Sequence, residues 1–171
     1  MQRTYFGLLF SFFLTSALAV PQTATASAAG EYAKHFEALS KLSVAVAQAM
    51  PPEKYGFRPH PDSMDFGQLI SHIATTNFQF CAGLKDSPTP ALPSPTDKAD
   101  TVRFLSDSFD YCSGIIASLN EDQLTKAHNS PDGNLPGREV LLAMYIHVAH
   151  HRGQAEIYLR DVGIKPPAYR I

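Results

Sequence analysis

From about Gly30 onward, apolar residues recur at alternating steps of three and four, the spacing that lines one face of an α-helix. A first helix is predicted over Glu31 to Met50, with His35, Leu39, Leu42, Val46 and Ala49 on its seam; Pro51 and Pro52 stop it. An irregular linker through Gly56, Pro59 and Pro61 leads to a second helix, capped by Ser63 or Asp65. Its seam is Phe66, Leu69, Ile73, Thr76 and Phe80, and it ends by Leu84. Lys85 to Thr96 carries Pro88, Pro90, Pro93 and Pro95, which makes it a loop or extended connection. The third helix repeats Val102, Leu105, Phe109, Cys112, Ile116 and Leu119. A second loop ends in Ser130-Pro-Asp-Gly-Asn-Leu-Pro. Pro136 suits the first turn of a fourth helix, with Val140, Met144, His147, His151, Gln154 and Tyr158 on its seam. Gly163, Pro166 and Pro167 end that helix. No strand pattern competes and no internal repeat is visible. The expected fold is therefore all-α, a four-helix bundle. The Lys85–Thr96 connection can reach roughly 40 Å when extended, against about 30 Å for a twenty-residue helix. The residues thus leave open both an up-down-down-up bundle, with helices two and three parallel, and the simpler alternating topology.

The first residues have a different character. Met1-Gln-Arg-Thr carries one positive charge, and Tyr5 to Val20 is almost wholly apolar. Two A-x-A sites follow, Ala17-Leu18-Ala19 and Ala26-Ser27-Ala28. This is the layout of a secretory signal peptide over residues 1–28, followed by one domain over residues 30–171. The apolar run is short for a membrane span, so cleavage before about Gly30 is expected, with no membrane association afterwards. The expected location is periplasmic or secreted. No cysteine near the cleavage sites suggests a lipoprotein. A formal net charge of -2 leaves no basic surplus for phosphates and argues against nucleic acid as a partner.

Seven histidines are present, and three stand out. His147 and His151 are four residues apart, about 40° apart around a helix and one turn apart along it, so both rings can reach one ion. His72, between Leu69 and Ile73, can supply a third nitrogen from across the core. Three histidines and a water form an open coordination sphere, the catalytic arrangement for zinc. Core histidines bonded to backbone carbonyls are the plain alternative, and His150 is a second choice for the position of His151. His35, His60 and His128 read as one amphipathic-face residue and two loop residues. Val148 stands where a zinc protease has Glu, and Glu156 points to another face, so no general base is evident.

With those residues in view, a resemblance emerges. His147-Val-Ala-His-His151-Arg-Gly-Gln154-Ala-Glu-Ile-Tyr158 resembles the closing helix of the DinB-like superfamily. Pro52-Glu-Lys-Tyr-Gly-Phe-Arg-Pro is similar to its first linker, and Phe66-Gly-Gln-Leu-Ile-Ser-His72-Ile to its second helix. The resemblance runs from about Tyr32 to Tyr169. It implies an up-down-down-up bundle and a divalent metal ion, zinc or nickel, on His72, His147 and His151. It also implies homodimers as partners. Characterised relatives include thiol-dependent enzymes, among them mycothiol-dependent maleylpyruvate isomerase and bacillithiol transferases. Those thiols are cytoplasmic, whereas this chain carries an export segment, so thiol transfer fits it poorly.

Two functional expectations follow. One is an exported metal-dependent hydrolase or transferase acting on a small molecule, with Gln154 orienting water or substrate, or bonding to a ligand histidine. The other is a non-catalytic exported bundle that binds a metal or ligand. Cys81 and Cys112 form no C-x-x-C motif; two free thiols are expected, because Cys81 sits on the flank of its helix's seam, and a disulfide is the alternative.

Overall fold

The structure, a computed structural model, describes residues 28–168. The expected signal peptide lies outside the described residues except for Ala28, which opens the first helix. Among the described residues there are four long helices: α1 (Ala28–Ala49), α2 (Phe66–Leu84), α3 (Lys98–Ser118) and α5 (Gly137–Asp161). A 3-10 turn (Pro52–Lys54) follows α1. A short helix, α4 (Glu121–Thr125), and two strands, β1 (Ala127–Ser130) and β2 (Gly133–Pro136), separate α3 from α5. Among the described residues, no helix is long and apolar enough to cross a membrane.

Local chemistry sets the boundaries. Asp65 caps α2: its carboxylate accepts from the Gln68 amide while the Gln68 side chain accepts from the Asp65 N–H. Asp97 caps α3 through the Asp100 amide. After α2, Asp86 takes a left-handed conformation (φ 52°) and the Ser87 amide reaches back to Ala82 O, which closes the helix end.

Each long helix packs on two others: α1 on α3 and α5, and α2 on α3 and α5. Asn77 Nδ2 donates to Ser108 Oγ, and Cys81 joins Cys112 in a disulfide. Both pairs span 31 residues, so α2 and α3 run in the same direction. On the other side of α2, Phe66 lies beside Tyr158 while His72 lies beside His147 and His151, so α5 runs opposite to α2. Phe36 of α1 sits between Phe109 and Tyr145, with ring centroids 5.2 and 5.7 Å away. Phe36, Phe66, Phe80 and Phe109 are all at most 1% exposed; burying each contributes on the order of 1.5–3 kcal/mol.

Three expectations are corrected. The fold is mostly helical but not all-α, because β1 and β2 pair antiparallel as a hairpin, Ala127 opposite Pro136 and Ser130 opposite Gly133. The strands have no alternating apolar pattern, and tertiary contacts hold them instead. Pro131 and Asp132 make the turn, Gly133 takes φ +104°, and the Ser130 hydroxyl donates to Gly133 O. His128, expected as a plain loop residue, is 1% exposed on β1. Its Nε2 faces Gln123 O at 2.8 Å, and its Nδ1 faces Gly83 O and Asp86 Oδ1 at 3.2 and 3.1 Å. The hairpin presses on α2 so closely that a Cβ at Gly83 would lie 2.0 Å from Asn129 O.

The third correction concerns the cysteines. They are bridged, not free, with Cα atoms 5.5 Å apart, well inside the range a disulfide spans. Helix α2 buries two adjoining faces rather than one seam. Ile70, Ala74, Asn77 and Cys81 form the face toward α3, so a flank position in the sequence is a core position in the fold.

Candidate metal centre

His72 is carried by the middle of α2, between the buried Leu69 and Ile73. His147 and His151 are carried by α5, beside the buried Met144, Val148 and Ala155. Because α2 and α5 run in opposite directions side by side, the three rings meet. Each offers one nitrogen, and the three nitrogens lie within 4.8 Å of one another. The Nε2 atoms of His72 and His147 are 3.0 Å apart. Ring centroids are 4.5 to 4.9 Å apart. All three side chains are half-buried. They sit at the α2 edge of α5's buried face, not deep in the core as the sequence seam suggested, and they keep a side open to solvent.

Electrostatics keeps these rings neutral at ordinary pH. Burial pushes the His147 imidazole down to about 4, helped by repulsion from His151, His72 and His150. Burial also lowers His72. It lowers His151, where the hydrogen bond with Gln154 opposes the shift and the charges of His72 and His150 add to it. A neutral imidazole has one lone pair for a cation.

The donor set fits a metal ion. Nitrogen–metal bonds of about 2.0–2.1 Å place two ligand nitrogens roughly 3.0–3.4 Å apart, the separation seen between His72 and His147. His147 Nδ1 is buried with no hydrogen-bond partner among the described residues, so the polar capacity of that ring is met through Nε2. His151 Nδ1 lies 2.8 Å from Gln154 Oε1. The amide oxygen only accepts, so Nδ1 carries the proton and Nε2 keeps its lone pair. Gln154 Nε2 in turn donates to His150 Nε2 at 3.2 Å.

His150 is therefore not a member of the triad. It is exposed on α5 and steadies Gln154 from behind, a role the sequence reading missed although the i, i+4 spacing was visible. Glu156 points away, bonded to Arg152. A cleft of about 650 Å³ lined by Gln79, Asp86 and Ser130 lies at the hairpin, and none of the triad lines it.

Residues 35–155 match the DinB superfamily. The chain belongs to that superfamily. The uncharacterized protein YjoA of Bacillus subtilis (strain 168) is 22% identical over 134 residues, covering 75% of this chain and 87% of YjoA. The crystal structure of that DinB-like protein superposes with a TM-score of 0.70 at 22% identity, over 82% of this chain and 98% of YjoA. A DinB-like protein from Bacillus cereus ATCC 10987 gives 0.71 at 17% identity, over 81% and 95%. At these identities the solved structures establish a shared DinB fold. The triad of this DinB chain lies within the matched residues.

Proposed function

We propose that this chain is an exported metal-dependent enzyme of the DinB superfamily, a hydrolase or transferase acting on a small molecule. The carrying observation is the convergence of three neutral imidazoles into a group that, among the described residues, no cysteine or carboxylate joins. His72, His147 and His151 would hold a divalent ion, zinc or nickel, each through one ring nitrogen. An ion bound there would supply Lewis acidity toward a small-molecule substrate. Gln154 fixes the tautomer of His151, and Phe80, its ring 6.2 Å from that of His147, walls the site on the core side.

The four long helices read as an up-down-down-up bundle, supported by the parallel α2–α3 and antiparallel α2–α5 contacts. Export to the periplasm or beyond is supported by the N-terminal apolar run and by the Cys81–Cys112 bridge, a bond that persists in oxidising compartments.

A second reading, a non-catalytic metal- or ligand-binding bundle, has one observation in its favour: no carboxylate among the described residues shares a hydrogen bond with the triad. The test is a screen of ester, amide and phosphoester substrates and thiol acceptors with metal-loaded protein. Turnover that disappears in His147→Ala supports the enzyme. Metal binding without turnover of any class supports the second reading.

A further inference from the structure

We propose that the cleft between the end of α2 and the hairpin is a binding subsite for an uncharged ligand rich in hydroxyl and amide groups, of which an N-acetylated sugar is the simplest, and that it seats the part of the substrate remote from the metal centre. The cleft encloses about 650 Å³, the size of a small-molecule site. Its walls are fixed. His128, its side chain wholly buried, ties Gln123 O on one side to Gly83 O and the Asp86 carboxylate on the other. Asp86 is held in a left-handed conformation, φ 52°, that residues with a Cβ seldom take. Gly83, with no side chain, lets β1 close directly on α2.

The lining selects the ligand class. The side-chain amides of Gln79 and Asn129 line the cleft and make no hydrogen bond among the described residues. Each offers two N–H donors and a carbonyl acceptor. Ser87 and Ser130 donate to Ala82 O and Gly133 O, and so present oxygen lone pairs to the cleft. Among the described residues Asp86 is the one charged side chain of the lining, and its two oxygens are engaged by Lys126 and His128. An ion entering the cleft finds no unpaired opposite charge. An acetamide pairs with a side-chain amide through both its N–H and its C=O, and sugar hydroxyls both donate and accept. Pro88 and Pro131 give apolar ring faces to the C–H side of such a compound.

Position ties the cleft to the triad. Gln79 and Gly83 lie seven and eleven residues after His72 on α2, each about 20° from it around the helix and about 10 and 16 Å along it. They continue the stripe that carries His72. Between them the groove of α2 and α5 is lined by small residues, Thr76 on α2 and Ala143 one turn before His147 on α5. This link to the metal centre rests on the proposed enzyme activity; ligand binding in the cleft does not.

Titration of isotope-labelled, chelator-treated full chain with N-acetylglucosamine, followed by NMR, tests the cleft with the metal removed. The side-chain amide signals of Gln79 and Asn129, assigned by their loss in Gln79→Ala and Asn129→Ala, are expected to shift saturably. Each substitution weakens binding roughly fivefold, and glucosamine, with an ammonium in place of the acetamide, binds more weakly than N-acetylglucosamine. The N-acetylglucosamine disaccharide, which extends beyond the cleft, shifts the ring signals of His72 as well, and the monosaccharide does not. No saturable shift through tens of millimolar overturns the proposal. So do shifts indifferent to both substitutions, or tighter binding of glucosamine. A disaccharide that binds but leaves His72 unmoved overturns the link to the metal centre. Metal content of untreated protein tests the metal-enzyme reading separately, so the two failures are distinct.

Discussion

The Nε2 atoms of His72 and His147 stand 3.0 Å apart across the α2–α5 interface, with burial holding both rings neutral. Two neutral ring nitrogens approach that closely when one donates its N–H to the lone pair of the other or when a cation lies between two lone pairs. The antiparallel course of α2 and α5 brings this pair together and adds His151 one turn along.

Gln154 sets the ring of His151, so its loss should be felt at the metal without removing a ligand. Gln154→Ala is expected to weaken affinity roughly 10- to 100-fold, measured by competition with a chromophoric chelator. Gln154→Glu restores an acceptor for His151 Nδ1 and should recover most of the loss. Equal damage from both variants would contradict the tautomer-fixing role.

Acid should weaken the metal-free protein in a defined window. The unfolded chain takes up a proton at His147 near 6.5, whereas the folded chain resists doing so until about 4. Stability therefore falls as pH drops from about 6.5 to about 4, and is indifferent to this group above 6.5. Urea midpoints measured across that range check the sign; substitution of His147 by Ala should flatten part of the slope.

The Cys81–Cys112 bridge closes a 31-residue separation. In the chain-entropy account that contributes about 3–4 kcal/mol. Thiol titration of unfolded, unreduced protein should find no reactive thiol, and two after reduction. The reduced protein should unfold at correspondingly lower denaturant.

Gly83 and Gly114 make a paired test of hairpin docking. A methyl at Gly83 would collide with Asn129 O, so Gly83→Ala should destabilise by roughly 1–3 kcal/mol. Nothing lies within 4 Å of a Cβ at Gly114. There, within α3, Ala should be neutral or stabilise by roughly 0.5–1 kcal/mol. Chemical denaturation of both variants separates the two effects.

Periodicity made the long helices legible, together with Asp65 as a cap and Gly163 near the end of α5. The triad was legible from the i, i+4 pair and a histidine on a facing seam. What escaped depended on tertiary contact. Helix α2 buries two faces, which a single-seam reading of Cys81 underestimates. His128 looked like a loop residue because its partners, Gly83, Asp86 and Gln123, are distant in sequence or carry only backbone oxygens. The hairpin strands, rich in Asn, Ser and Gly, have no apolar alternation to announce them. His150 looked like a rival ligand because spacing alone does not tell which side of the helix meets α2.

The most direct test of the central claim is metal content per chain, measured by mass spectrometry on purified wild-type protein and on single alanine variants of His72, His147, His151 and His150. One divalent ion per chain is expected in the wild type and in His150→Ala, with loss of stoichiometric binding in His147→Ala and in the other two triad variants. A His147→Ala protein that keeps its full metal complement, or a His150→Ala protein that alone loses it, would contradict the account.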